Sequence, residues 1–235
     1  MVSKIEENNK KHEHTVFIVP VGPVGQYPIF VRFVKERNLS LENVWFINMD
    51  EYLDDEKRYI SKSHMLSFRG FMDRVVYSQI PNELNIPESH RIFPDPDDTS
   101  RIMRTIDELG KVDIAFGGIG INGHLAFNEA EDVSAKGFAL RETRVLEISR
   151  ETRVANAIGD LNGAIDAMPK YAVTIGMREI LSARKVVIGV FRPWHRAVLR
   201  EALFAPVSGH FPATLLQEHP NAMILANNIA SEKAF

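Results

Sequence analysis

No cysteine occurs in this sequence, which excludes disulfide staples, thiolate metal sites and cysteine nucleophiles. Any catalysis must come from oxygen and nitrogen side chains, and the absence fits a reducing compartment. There is also no apolar run long enough to span a bilayer, and the polar, charged stretch from Met1 to His14 lacks the apolar core of a signal peptide. A cytoplasmic protein is the expectation. A large charge excess is missing too: with a formal net charge of -3 there is no electrostatic basis for binding nucleic acid or a membrane. Internal repeats and low-complexity segments are absent.

What is present is the ordinary composition of a folded chain, 45% hydrophobic and 25% charged over 235 residues. That length buries a sizeable core as one domain, 1–235, in which 1–14 is a charged N-terminal segment. Strand-like apolar runs recur at Thr15–Pro20, Val44–Asn48, Val112–Phe116, Thr143–Ile148, Tyr171–Ile175, Val186–Val190 and Ala222–Ala226. Helical patterns fall at Tyr27–Arg37, Ser63–Val76, Ser100–Leu109, Met177–Ala183, Trp194–Leu203 and Ala213–Glu218. The alternation predicts a single Rossmann-like, doubly wound α/β fold: a mostly parallel sheet with helices on both faces and ligands at the strand carboxyl ends. Pro81–Pro96 and Glu129–Lys136 read as irregular, the second as part of a mobile lid.

The most informative segment is Gly117-Gly118-Ile119-Gly120-Ile121-Asn122-Gly123-His124-Leu125-Ala126-Phe127-Asn128-Glu129, directly after a buried-looking strand. Its glycines let the backbone approach a ligand, and His124 emerges at a strand carboxyl end. The dinucleotide spacing G-x-G-x-x-G is absent. A second segment, Asn48–Asp55, follows another strand and brings carboxylates to the same edge. Adjacent Asp50 and Glu51 point to opposite faces if the strand continues, so one faces the ligand while the other makes a structural bond. Taken singly, a glycine turn with a packed histidine and a solvated acidic turn are ordinary structural features; their pairing is what suggests a site.

Asn48–Tyr52, the His124 loop, Thr152-Arg153-Val154-Ala155-Asn156 and Pro169–Gly176 together resemble the glucosamine-6-phosphate deaminase family, in order, from about Val44 to Ala226. The resemblance implies conversion of glucosamine 6-phosphate and water to fructose 6-phosphate and ammonia, with no cofactor and no metal. It assigns ring opening to His124, the C2-to-C1 proton transfer to Asp50, polarisation of His124 to Glu129, and phosphate binding to Arg153. Histidine titrates near neutrality and a carboxylate can shuttle a proton over one face of an open-chain sugar, so the residue types suit the chemistry.

The chain departs from the family at several points. The family's Asp-Gly-His is Asn122-Gly123-His124 here, and an amide cannot stabilise the imidazolium as a carboxylate does, so His124 is expected to protonate less readily. The threonine-rich phosphate cradle is replaced by Val19–Pro28, in which Gly22, Pro23, Val24 and Gly25 are expected to offer backbone N–H groups to an anion. The family's second phosphate contact, a lysine, falls near His195 or Arg196. The helix that precedes the first strand in the family is replaced by a short charged segment, and the sheet edge or core face this exposes leaves room for a partner, including a homo-oligomer. An effector-binding arginine and lysine of some members correspond to Arg144 and Leu146, so that regulation is expected to be lost. Alternatives to the leading reading are a galactosamine 6-phosphate or other amino-sugar phosphate deaminase, a 6-phosphogluconolactonase-like hydrolase, and a non-catalytic sugar-phosphate sensor.

Overall fold

The computed structural model describes residues 1–234. Its elements run α1 (Val2–Lys10), β1 (Thr15–Val19), α2 (Gln26–Glu36), β2 (Val44–Asn48), β3 (Asp50–Leu53), α3 (Phe68–Val75), β4 (Arg91–Ile92), α4 (Arg101–Leu109) and β5 (Ile114–Gly117). They continue α5 (Ala135–Ala139), β6 (Arg144–Glu147), α6 (Arg150–Asp160), β7 (Tyr171–Thr174), α7 (Met177–Leu181), β8 (Val186–Val190), α8 (His195–Phe204), β9 (Ala222–Ala226) and α9 (Asn228–Ser231).

A six-stranded parallel sheet in the order β4-β2-β1-β5-β8-β9 forms the centre, as the βα alternation predicts. β1 is buried along its whole length because strands flank it and side chains pack on both faces: Val16 and Ile18 join one cluster, Phe17 and Val19 another. The chain builds outwards from β1 in both directions, towards β2 and β4 and then towards β8 and β9. The gap outside the carboxyl ends of β1 and β5 is therefore the switch point where α/β folds bind ligands.

The second sheet is a finding the sequence did not announce. Thr143–Ile148 and Tyr171–Ile175 read as members of one mostly parallel sheet, yet β7 pairs antiparallel with β6 on one side and β3 on the other in a separate sheet, β3-β7-β6. The chain passes between sheets at Met49, whose N–H donates to Val19 O at 3.0 Å and whose carbonyl accepts from Ile175 N at 2.8 Å. Four-residue strands carry too little pattern to reveal their partners, which long-range pairing decides.

The N-terminal segment is corrected as well. Residues 2–10 form α1, and Ile5, 0% exposed, joins the cluster under α2, a burial that contributes about 2 kcal/mol. Buried Asn8 donates through Nδ2 to Thr15 Oγ1 at 3.0 Å and His14 O at 3.2 Å, fastening α1 to β1. The core face expected to be open on this side is thus covered by the chain's own helix.

Helix boundaries also moved. Ser63–Val76 begins only at Phe68, because Ser67 caps α3 and the buried Glu51 carboxylate takes the N–H groups of Phe68 and Arg69, each at 2.9 Å. α6, which includes Thr152–Asn156, escaped the periodicity reading; Asn156 and Gly159 are poor helix formers, and the stronger signal is the Ser149 cap, whose Oγ accepts from Thr152 N at 3.2 Å. Within Glu129–Lys136 the last two residues begin α5, and the segment expected at Ala213–Glu218 is a 3-10 turn over Pro212–Glu218. No helix among the described residues is long and apolar enough to cross a membrane.

Candidate active site

A cleft of about 250 Å³ opens at the switch point, lined by the loops after β1, β5 and β8 together with Asp50, Phe68 and Asn156. Asp50 enters it at the junction of the two sheets and is 6% exposed. Burial pushes its carboxyl well above the ordinary carboxylate range, and the neighbouring Glu51 charge pushes the same way.

Glu51 points to the opposite face. Its oxygens accept from Tyr52 N at 3.0 Å, Phe68 N at 2.9 Å, Arg69 N at 2.9 Å and Ser67 Oγ at 2.9 Å, and pair with Arg69 Nε at 3.1 Å. With every lone pair engaged, Glu51 holds α3 against β3. Asp50 is left as the carboxyl facing the cleft, the division the strand alternation requires.

His124 reaches the cleft from the loop after β5. Gly123, at φ 82°, makes the turn before it, a conformation glycine adopts without strain. The imidazole lies flat on Gly120: a Cβ built there would stand 1.9 Å from His124 Cε1. His124 Nδ1 is 2.6 Å from Asn122 Oδ1, Asn122 Nδ2 is 2.6 Å from Glu129 Oε2, and Glu129 Oε2 also accepts from Thr152 Oγ1 at 3.1 Å.

This chain of bonds sets the tautomer. Glu129 can only accept, so the Asn122 amide must donate to it through nitrogen and present oxygen to the imidazole. Nδ1 therefore carries the proton, and Nε2 keeps a bare lone pair. Burial holds the His124 pKa below its ordinary value, with Glu129 pulling the opposite way from 3.7 Å. A carboxylate in place of Asn122 would face Glu129 across that 2.6 Å contact, and the added charge would favour the imidazolium. Asn122→Asp is accordingly expected to raise the His124 pKa, moving the corresponding limb of the pH–rate profile to higher pH; an unmoved limb would count against His124 as the titrating group.

At the other end of the cleft, Gly22 and Pro23 line the wall, together with Pro20 and Val21. Val24 and Gly25 do not: Val24 is 38% exposed and Gly25 lines an adjacent apolar groove. The N–H of Val24 is spent on Gly22 O at 2.8 Å and that of Tyr27 on Val24 O at 3.1 Å, while Pro23 and Pro28 have none. Gly22, Gly25 and Gln26 keep unbonded N–H groups, and α2 begins there with no side-chain cap and no acid in its first turn.

The cationic candidates divide. His195 lines the cleft but has no nitrogen to offer, since Nδ1 accepts from Phe191 N at 3.1 Å and Arg192 N at 2.9 Å while Nε2 bonds Ile119 O at 3.0 Å. It ties the β8 loop to the β5 loop. Arg196 turns away, bonding Ile229 O at 2.9 Å and pairing with Glu232. Arg153 is half-buried on α6 and does not line the cleft; among the described residues its guanidinium has no hydrogen-bond or carboxylate partner. It lies one turn before Asn156, on the same side of the helix, and Asn156 does line the cleft.

Arg192 is the residue that sequence reading missed. It lines the cleft from the β8 loop and reaches towards α6, its Nη1 only 3.4 Å from a Cβ built on Gly159. The available signal was its position two residues beyond the end of a parallel strand, where α/β folds place ligand contacts. Among the described residues no group of three or more His, Asp or Glu side chains is arranged to hold a metal ion.

No protein-family model matches the chain. A glucosamine-6-phosphate deaminase of Cronobacter sakazakii is 31% identical over 232 residues, 97% of this chain and 83% of that protein. Among solved structures, a monomeric glucosamine-6-phosphate deaminase, described as the missing link of the NagB superfamily, is similar with a TM-score of 0.83 at 27% identity, over 97% of this chain and 91% of that one. A 6-phosphogluconolactonase from Trypanosoma brucei is similar with a TM-score of 0.65 at 16% identity, over 98% and 90% of the two chains, a likeness of fold alone. With the first of these relatives 31% identical across 97% of this chain, the chain belongs to the glucosamine-6-phosphate deaminase family.

Proposed function

We propose that the protein converts a hexosamine 6-phosphate, by default glucosamine 6-phosphate, and water to a ketose 6-phosphate and ammonia. The observation that carries this reading is one cleft holding both a histidine oriented through Nδ1 with its Nε2 lone pair free and a buried carboxyl. His124 Nε2 takes the C1 hydroxyl proton and returns a proton to the ring oxygen, opening the sugar. Asp50, in its ionised form, takes the C2 proton and delivers it to C1; the resulting C2 imine adds water and loses ammonia. The substrate ammonium close to Asp50 favours that ionised form and opposes the effect of burial.

The phosphate is read onto the far end of the cleft, between the free N–H groups of the β1 loop and the guanidinium groups of Arg192 and Arg153. Arg192→Gln is expected to raise KM for the phosphorylated sugar roughly tenfold or more while kcat changes little, since a hydrogen bond to a charged group contributes about 1.5–3 kcal/mol. An unchanged KM would remove Arg192 from the phosphate site. A single domain, a place in N-acetylglucosamine catabolism and a cytoplasmic setting complete the proposal, because a phosphorylated sugar does not cross a membrane unaided.

A panel of hexosamine 6-phosphates, assayed for ammonia and ketose phosphate together, tests the reading. Stoichiometric release of both supports it. Hydrolysis of 6-phosphogluconolactone with no ammonia from any hexosamine phosphate would overturn it.

A further inference from the structure

Glu129 lies outside any helix or strand, between β5 and α5, so its carboxylate is only as well placed as the loop that carries it. On its C-terminal side stands Glu131, half-buried, with Oε2 held by Arg141 and Oε1 accepting from Arg144 Nη2 at 3.1 Å. On its N-terminal side stands Asn128, fully buried, whose Nδ2 is spent on Leu125 O at 3.0 Å and Ile175 O at 2.8 Å. The remaining oxygen of Asn128 accepts from Arg144 Nη1 at 2.8 Å. One guanidinium on β6 thus grips the chain on both sides of Glu129, and none of Asn128, Glu131, Arg141 and Arg144 lines the cleft.

We propose that Arg144, oriented and neutralised by Glu131, is a positioning residue that fixes Glu129 and, through Asn122, keeps the proton of His124 on Nδ1. The physical reason lies in the symmetry of the amide. Asn122 presents oxygen to His124 chiefly because Glu129 takes its nitrogen at 2.6 Å; the longer contacts, His124 N to Asn122 Oδ1 at 3.4 Å and Asn122 Nδ2 to Ser149 Oγ at 3.3 Å, favour the same orientation. If the Glu129 carboxylate swings away, the amide keeps only those two longer contacts and can turn over, accepting nothing from Nδ1; the proton then moves to Nε2 and occupies the lone pair that faces the substrate. Lysine could not replace Arg144, because a point charge does not bridge Asn128 and Glu131 in the fixed fork that a guanidinium provides.

The kinetic part of this inference rests on the proposed function; the tautomer part does not. The full chain labelled with 15N-histidine is compared as wild type, Glu131→Gln and Arg144→Lys, with His124→Asn identifying the His124 resonances. The wild type is expected to show a protonated Nδ1 and a bare Nε2. Both variants are expected to show mixed tautomers, and kcat on glucosamine 6-phosphate to fall roughly tenfold to a hundredfold with KM little changed. Should Glu131→Gln fail to fold, Arg144→Lys, which keeps the positive charge, carries the same measurement. Folded variants that melt lower yet keep the wild-type tautomer pattern would overturn the proposal and leave the clamp merely structural. Mixed tautomers in the variants of a wild type that releases no ammonia would overturn the proposed function and support the clamp.

Discussion

Asp50→Asn is expected to lower turnover by roughly a hundredfold to ten-thousandfold, the usual contribution of a positioned general base. The amide fills the same space, so apparent affinity should hardly change where substrate dissociates faster than it reacts. Exchange of the C2 proton with solvent should fall in parallel, because it reports the same transfer without requiring ammonia to leave.

Folding stability gives an independent check. Burial raises the Asp50 pKa in the folded state, so between the ordinary carboxylate pKa and that raised value the folded chain binds more protons than the unfolded one. Stability therefore falls as pH rises through that window, a loss the uncharged amide avoids. The variant should melt no lower than the parent near neutral pH. Near-normal turnover and exchange would make Asp50 a structural carboxyl; Glu51 could not serve instead, since backbone and side-chain donors occupy both of its oxygens.

Gly120→Ala is expected to abolish most activity from a change of one methyl group. The added carbon would stand 1.9 Å from His124 Cε1 and 2.1 Å from Nε2, inside the ring's van der Waals surface. His124 is 9% exposed and bonded to Asn122, so the ring cannot tilt without breaking the relay. Either the imidazole leaves its seat or the loop shifts; overpacking of this kind costs about 1–3 kcal/mol, and a misplacement of about 1 Å costs roughly a hundredfold in rate. Kinetics and thermal melting of the purified variant separate the two effects. Wild-type turnover in a folded Gly120→Ala protein would show that the ring's seat is not needed for catalysis.

The hydrophobic rhythm carried much of this fold. β2, β8 and β9 coincide with the strands expected from sequence, because runs such as Val186–Val190, β-branched at every position but Gly189, carry the apolar pattern of a parallel strand in the sheet. α1 and α6 were harder: α1 is mostly polar and buries only Ile5 and Asn8, and α6 contains weak helix formers stabilised by a serine cap. Within the site, the segments at the strand ends led to Asp50 and His124, the family resemblance added Glu129, and strand alternation set Asp50 against Glu51.

The cationic end shows where spacing stops being informative. His195, Arg196 and Arg192 lie within five residues of one another, yet the first spends its ring tying two loops together, the second pairs with Glu232 on the surface, and the third brings a guanidinium to the cleft. By itself the sequence determined that the chain builds a mostly parallel α/β sheet and brings an acid and a histidine to its carboxyl edge, since periodicity and turn chemistry are local properties. Only the tertiary structure decided which strands leave that sheet, which arginine reaches the cleft and which nitrogen of His124 holds the proton. Those outcomes depend on groups far apart in the chain, Met49 against Ile175, Arg192 against Gly159 and Arg144 against Glu131, whose meeting no local pattern records.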